Sequence, residues 1–287
     1  MPYAQLDDRG LLKVSGEEAV AFLQGLVSND VRPLAQNRAV YAAMLTPQGR
    51  FLHDFFLLPW PDGILIDVSS ARLPDLLQRL TLYRLRSKIN LEPMPGMSVT
   101  AAWERDSGFG IQDSGVFSDP RLPELGWRII GEAVDLGPGR ADAEAYERHR
   151  LDLGVPDGSR DMIADKSLLL EFGFEDLHGV DFAKGCYVGQ EVTARSKHRG
   201  QVRRFIYHVR AGGDMLPLPG TPVMLGDVQA GEMRSSLGNT GLALLKVAEA
   251  EKAEAGRLMF HAGTAALKAS LPQWVTRPPA AVTIDAV

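Results

Sequence analysis

Lys184-Gly185-Cys186-Tyr187-Val188-Gly189-Gln190-Glu191-Val192-Thr193-Ala194-Arg195-Ser196-Lys197-His198-Arg199-Gly200 is the most informative stretch of this 287-residue chain, and it holds the only cysteine. The thiol follows a lysine and a glycine, precedes an aromatic, and lies just before a segment able to begin a helix at Gly189. A cysteine near a helix N-terminus and close to Lys or Arg has its thiolate favoured by the helix dipole and by the cations. Gly185 allows close backbone approach to a ligand or a positive φ. A free cysteine is more commonly an inert, buried small hydrophobe. A flank of Lys, Gly and a polar Gly-Gln-Glu run does not suit a core position, so the pattern points to an exposed, activated thiol.

Outward from this stretch, charge is unevenly spread. The chain carries −5 at pH 7, which excludes a polycation built to coat nucleic acid. Between Lys184 and Arg204 six basic residues face one acid, so that window is +5 and the remainder −10. One cysteine excludes an intrachain disulfide and any multi-cysteine metal cage. With 45% hydrophobic and 23% charged residues the chain folds around a proper core, in about two domains at this length. Met1 to Val14 reads as no secretory signal, and the best apolar run, Phe55 to Trp60, is short and contains Pro59, so neither secretion nor a membrane span is expected. The expectation is a cytoplasmic protein.

Ser15 and Glu18 fit a capping box ahead of a helix bearing Ala19, Phe22, Leu23, Leu26 and Val27 at helical spacing. Strand-like runs follow at Val40 to Leu45, Phe51 to Leu58 and Ile64 to Val68, separated by the turns Thr46-Pro47-Gln48-Gly49 and Pro61-Asp62-Gly63, which suggests antiparallel pairing. Leu73, Leu76, Leu77 and Leu80 predict a helix, and Lys88 to Leu91 and Val99 to Trp103 predict strands. Gly137-Pro138-Gly139 breaks the chain before a helix over about Ala141 to Leu153. Beyond Gly200 short strands at Phe205 to Val209, Pro222 to Leu225, Gln229 to Met233, Leu242 to Leu245 and Ala265 to Leu271 predict a separate C-terminal β-barrel or sandwich.

The motif Lys-Gly-Cys-Tyr-x-Gly-Gln-Glu, followed by Ala194-Arg195 and His198-Arg199-Gly200, resembles the signature of the YgfZ-type folate-binding proteins. These are relatives of the glycine-cleavage T-protein and include the Iba/CAF-type iron-sulfur assembly factors. The resemblance extends through Phe22-Leu23-Gln24-Gly25, Asn29-Asp30-Val31, Thr46 to Arg50, Tyr83-Arg84-Leu85-Arg86 and Gly154-Val155-Pro156. It implies an α+β, T-protein-like fold: a three-lobed ring, with two α+β lobes of antiparallel sheet interleaved within residues 1–200 and a C-terminal β-barrel over 201–287, around a central channel. It also implies a monomer that binds tetrahydrofolate or a related folate. The role implied is assembly or repair of [4Fe-4S] proteins, among them radical enzymes that modify tRNA, with iron-sulfur client or scaffold proteins as partners. Cys186 takes the place of the functional cysteine and Lys184 that of the matching lysine. Cys186 is also a candidate shared cluster ligand, since one cysteine cannot hold a cluster alone.

Further residues are read beside the motif. Asp54 falls near the catalytic aspartate of the T-protein, where a carboxylate assists one-carbon transfer to folate; its plain alternative is an acid at a strand end. His53 is read as structural or exposed. Glu171 falls where T-protein relatives place a glutamate on the pterin ring, whose edge offers two neighbouring N–H donors to a bidentate acceptor. Arg84, Arg86 and Lys88 alternate, so in a strand they would share one face and could draw the glutamate tail of a folate. Gln190 and Arg195 are assigned to ligand binding with them. The basic window is read as an electropositive mouth around the thiol. Aromatics are absent from it beyond Tyr187, so nucleic acid is not the expected partner. Two other readings compete with an assembly factor. One is a tetrahydrofolate-dependent aminomethyltransferase using Asp54; the other is a cysteine hydrolase with His178 or His198 as base.

Overall fold

The structure, a computed structural model, describes residues 1–103, 115–132, 134–198, 202–213, 215–276 and 279. They divide into two compact units, Met1–Tyr146 with Leu177–Gln190, and Glu147–Asp176 with Glu191–Val287.

The first unit runs β1 (Tyr3–Gln5), β2 (Arg9–Ser15), α1 (Ala19–Gln24), β3 (Val40–Leu45), β4 (Phe51–Trp60), β5 (Gly63–Ser69), α2 (Leu73–Arg84), β6 (Asn90–Pro93), β7 (Ser98–Ala102), β8 (Val116–Ser118) and β9 (Trp127–Gly131). Two antiparallel sheets result, ordered β3-β4-β5-β2-β6 and β1-β7-β9-β8. Side chains alternate along a strand, and one face of the larger sheet packs Leu12, Val14, Met44, Phe55, Leu57 and Ile66 with Leu23 of α1 and Leu76 and Leu80 of α2. Phe51 to Leu58 is buried on both faces, so β4 is mainly apolar on both, interrupted by the buried His53 and Asp54.

The opposite face holds a charged layer. The Phe56 ring lies beneath the guanidiniums of Arg128, Arg121 and Arg9, at 3.6, 4.8 and 5.7 Å from its centroid. Asp67 accepts from Arg9 at 2.6 Å and from Arg128, and Asp119 pairs with Arg121 at 2.8 Å, so the buried cations are matched. Arg128, buried through its ion pair, interrupts the apolar residues Trp127, Ile129 and Ile130 of β9.

Two expectations are corrected here. Ser15 ends β2 instead of capping a helix; the cap position falls to Glu18, which makes no side-chain cap bond. Its carboxylate instead accepts the N–H of Lys88 at 2.6 Å. Arg84, Arg86 and Lys88 share no strand face, because α2 continues through Arg84 and the chain turns at Leu85, with φ +45°, before β6 opens at Asn90.

In the second unit, which takes most of α3 (Ala143–Asp152), lie α4 (Gly158–Asp161), a 3-10 turn at Leu169–Phe172, and α5 (Gln190–His198), which begins at the last residue of the first unit. The barrel follows: β10 (Arg204–Ala211), β11 (Pro222–Leu225), β12 (Val228–Leu237), β13 (Thr240–Lys246), α6 (Val247–Gly256), β14 (Phe260–Ala262) and β15 (Ala265–Ser270). It closes in the order β10-β13-β12-β11-β14-β15, with β15 returning to β10. The five strands expected from sequence are present; α6 and β14 are additional. Arg150, fully buried, donates to Asp161 at 2.9 Å and to the Val155 carbonyl at 2.6 Å, and Asp161 accepts the N–H of Ser235 at 2.8 Å, which ties α3 and α4 to β12. The architecture is α+β with antiparallel sheets and a closed six-stranded barrel.

Candidate functional site

Cys186 is exposed on the loop that leads into α5. The residues on either side are fixed. Lys184 is buried, and its ammonium donates to the carbonyls of Val27 at 2.6 Å, Asn29 at 2.8 Å and Gln24 at 2.9 Å. All three N–H donors are thereby engaged in holding the loop to the turn after α1. Burial pushes the Lys184 pKa down to about 8, opposed by the charges of Asp30 and Asp181. The lysine is therefore an anchor, which differs from its expected part as a cation activating the thiol.

On the other side Tyr187 is buried, with the Lys184 ammonium 5.0 Å from its ring centroid. The N–H of Val188 donates to Gly25 at 3.2 Å. Gly189 has φ +83°, and a Cβ there would stand 2.4 Å from the Thr46 carbonyl oxygen, so only glycine fits. A Cβ at Gly185 would meet nothing within 4 Å, so the space beside the thiol is open. Gln190 closes the same turn, donating its backbone N–H to Tyr187 at 3.2 Å while its side-chain oxygen accepts the Tyr187 N–H at 3.3 Å.

Glu171 lies in the 3-10 turn of the second unit and is buried. Arg204, the first residue of β10, grips it in a fork, Nε to Oε1 at 3.0 Å and Nη2 to Oε2 at 3.1 Å. A cavity of about 120 Å³ borders Glu171, lined also by Leu168, Leu169, Thr193, Ser196 and Val202.

The remaining candidates are dispersed. Asp54 is buried on the charged face of the larger sheet and accepts from the Tyr41 hydroxyl at 2.9 Å. His53, on the opposite face, is buried with Nε2 2.7 Å from Asp75; burial holds its pKa down to about 4 although Asp75 pulls it up. Arg84 and Arg86 are exposed at the end of α2, beside the exposed Leu82 and Leu85. His178 is exposed and donates no side-chain group to the thiol loop; its carbonyl accepts from Asn29 at 2.7 Å.

Four of the described cations of the basic window are turned inward or paired. Lys184 turns inward, Arg195 pairs with Glu191, Lys197 with Glu175 at 2.6 Å, and Arg204 with Glu171. Arg203 is exposed, while Arg199, Gly200 and the side chain of His198 lie outside the described residues.

The sequence reading missed one feature. A cavity of about 640 Å³ in the first unit is lined by Asn29, Asp30, Tyr41, Trp127, His178 and Asp181, among others. It is of small-ligand size. Asp181 also accepts the backbone N–H of Ala183 at 2.6 Å and of Lys184 at 3.2 Å, so the cavity wall and the thiol loop share a support. Asn29-Asp30 was its only signal in the sequence.

Residues 203–277 match the family described as CAF17, C-terminal beta-barrel domain. The iron-sulfur cluster assembly factor IBA57, mitochondrial, of Homo sapiens is 36% identical, the alignment covering 94% of this chain and 84% of the human protein. Its Mus musculus counterpart is 32% identical with the same coverage of each chain. The crystal structure of the glycine cleavage system aminomethyltransferase T from Bartonella henselae superposes with a TM-score of 0.74 over 96% of this chain and 86% of that one. At 14% identity that likeness establishes the T-protein-like fold alone. Both IBA57 relatives are mitochondrial by name, which overturns the cytoplasmic expectation. The chain belongs to the IBA57 family of iron-sulfur cluster assembly factors.

Proposed function

We propose that this protein supports assembly or repair of [4Fe-4S] proteins, including tRNA-modifying radical enzymes, by offering the Cys186 thiolate as one ligand of a cluster held jointly with a client or scaffold protein. The observation that carries this reading is the exposed thiol between two rigid anchors, the Lys184 ammonium on three carbonyls and the tight Gly189 turn. Thiolate is the ligand iron-sulfur clusters prefer. Because the chain has a single cysteine, the other thiolate ligands come from a partner, a second copy or a small thiol, and the cluster is cargo passed through this site. A fixed loop with open space beside the sulfur lets a partner approach without the ordering cost of a mobile one.

The reading includes a bound folate, tetrahydrofolate or a relative. Glu171 fits one requirement of that ligand: a buried carboxylate with two oxygens that already accept a fork of N–H donors, the same pattern a pterin edge presents. When bound, the folate supplies a one-carbon carrier. The chain's part is to hold its pterin edge at Glu171.

The test is complementation of a deletion strain, measuring [4Fe-4S] enzyme activity and glycine cleavage together. Cys186→Ala is expected to fail to restore the cluster enzymes, and Asp54→Ala to restore them. Full rescue by Cys186→Ala would overturn the proposal; loss of glycine cleavage with Asp54→Ala would favour an aminomethyltransferase instead.

A further inference from the structure

Arg204 and a folate ask the same thing of Glu171. The pterin edge is a cyclic guanidine whose ring N–H and exocyclic amine lie side by side, and the arginine fork is the acyclic version of that donor pair. In the structure Glu171 is already gripped by that fork, at 3.0 and 3.1 Å. We propose that Arg204 is an internal occupant of the pterin site, a latch whose guanidinium stands where the ligand edge binds, so that folate enters by exchange with it. The proposal rests on the reading of Glu171 as the pterin acceptor.

Three features fit a displaceable latch better than a fixed structural pair. Exposure is lopsided: the Glu171 side chain is 9% exposed and that of Arg204 43%. The carboxylate thus stays in place while the guanidinium can rotate into water, where an ion pair of this kind adds little stability. The Arg204 backbone is set by pairing with Lys246 on β13, so opening needs only side-chain rotation. The cavity beside Glu171, about 120 Å³ with Leu168 and Leu169 in its wall, is below the ~300–1,000 Å³ of ordinary ligand pockets. Withdrawal of Arg204 frees the carboxylate that borders this cavity.

The test measures binding by calorimetry, with 5-formyltetrahydrofolate and the tail-less 6-methyltetrahydropterin as probes. Arg204→Met is expected to bind both about three- to tenfold tighter than the wild type, the range set by loss of one competing, half-exposed ion pair. Glu171→Gln is expected to lose binding of both. If Arg204→Met folds poorly, the wild type alone still reports: its affinity for the neutral pterin should rise with salt, because salt weakens the pair that the ligand displaces. Equal or weaker binding by a folded Arg204→Met overturns the latch and leaves the folate reading standing, as does a pterin affinity that does not change with salt. Binding that survives Glu171→Gln puts the ligand elsewhere, the 640 Å³ cavity of the first unit being the alternative, and overturns the latch together with the Glu171 reading, while folate binding itself stands. No binding of either probe by wild type or Arg204→Met overturns both.

Discussion

The Cys186 loop and the Glu171 turn handle a reactive group in opposite ways. On the loop the functional atom is exposed and the charge is hidden: Lys184 buries its ammonium against three backbone carbonyls, so that the thiol is held outward. At the turn the functional carboxylate is hidden and its partner cation is half in water. A buried ammonium on carbonyls can be removed only at the cost of the loop. An ion pair open on one side can be exchanged. The loop is therefore suited to presenting a ligand to another protein, and the turn to receiving one.

The largest effect expected from breaking this contrast is at Lys184. Lys184→Met leaves three carbonyls without their donor and should destabilise the fold by about 3–5 kcal/mol in urea denaturation. A loss under about 1 kcal/mol would mean that the ammonium does not anchor the loop.

Next in size is a pH effect at His53, another buried base of the first unit, which gives up its charge where Lys184 keeps it. Its folded pKa, about 4, lies below the unfolded value of 6.5. The unfolded chain takes up the proton first, so the contribution of neutral His53 is complete above about pH 6.5 and is lost as pH falls toward 4, about 3 kcal/mol in all. The difference between wild-type and His53→Gln stability curves should show that slope; a flat difference would mean the imidazole is charged in the fold.

Smaller again is Glu171→Gln, at about 1–2 kcal/mol, because Arg204 can turn to solvent once its partner is neutral. A cost as large as that of Lys184→Met would make the turn as rigid as the loop and erase the contrast. Smallest is Cys186→Ser, below about 0.5 kcal/mol, since an exposed side chain away from packing or caps is removed. A thermal melt of that variant should overlay the wild type even where cluster-enzyme activity is lost.

Much of the fold was legible because the sequence carries its period. Val40 to Leu45, Phe51 to Leu58 and Ile64 to Val68 are apolar runs between turns, and the pattern of strands beyond Gly200 anticipates the barrel. The reading failed where polar residues are buried through partners distant in sequence. Strands β8 and β9 hide Arg128 against Asp67, 61 residues away, and nothing local marks that pairing. It failed also at Arg84, Arg86 and Lys88, where alternation of cations suggested a strand but the helix pattern of the preceding leucines extends further than its apolar face.

The chain by itself determined where the chemistry lies: one thiol, in one motif, at the start of a helix. Local spacing and residue type are enough for that, because they act over a few residues of backbone. Only the tertiary structure decided what the charges of the motif and of the Glu171 turn do. Lys184 finds its carbonyls 155 to 160 residues earlier, and Glu171 meets its arginine 33 residues later. A charge in sequence has a sign but no partner, and it is the partner, with the burial they share, that makes one lysine an anchor and one arginine a latch.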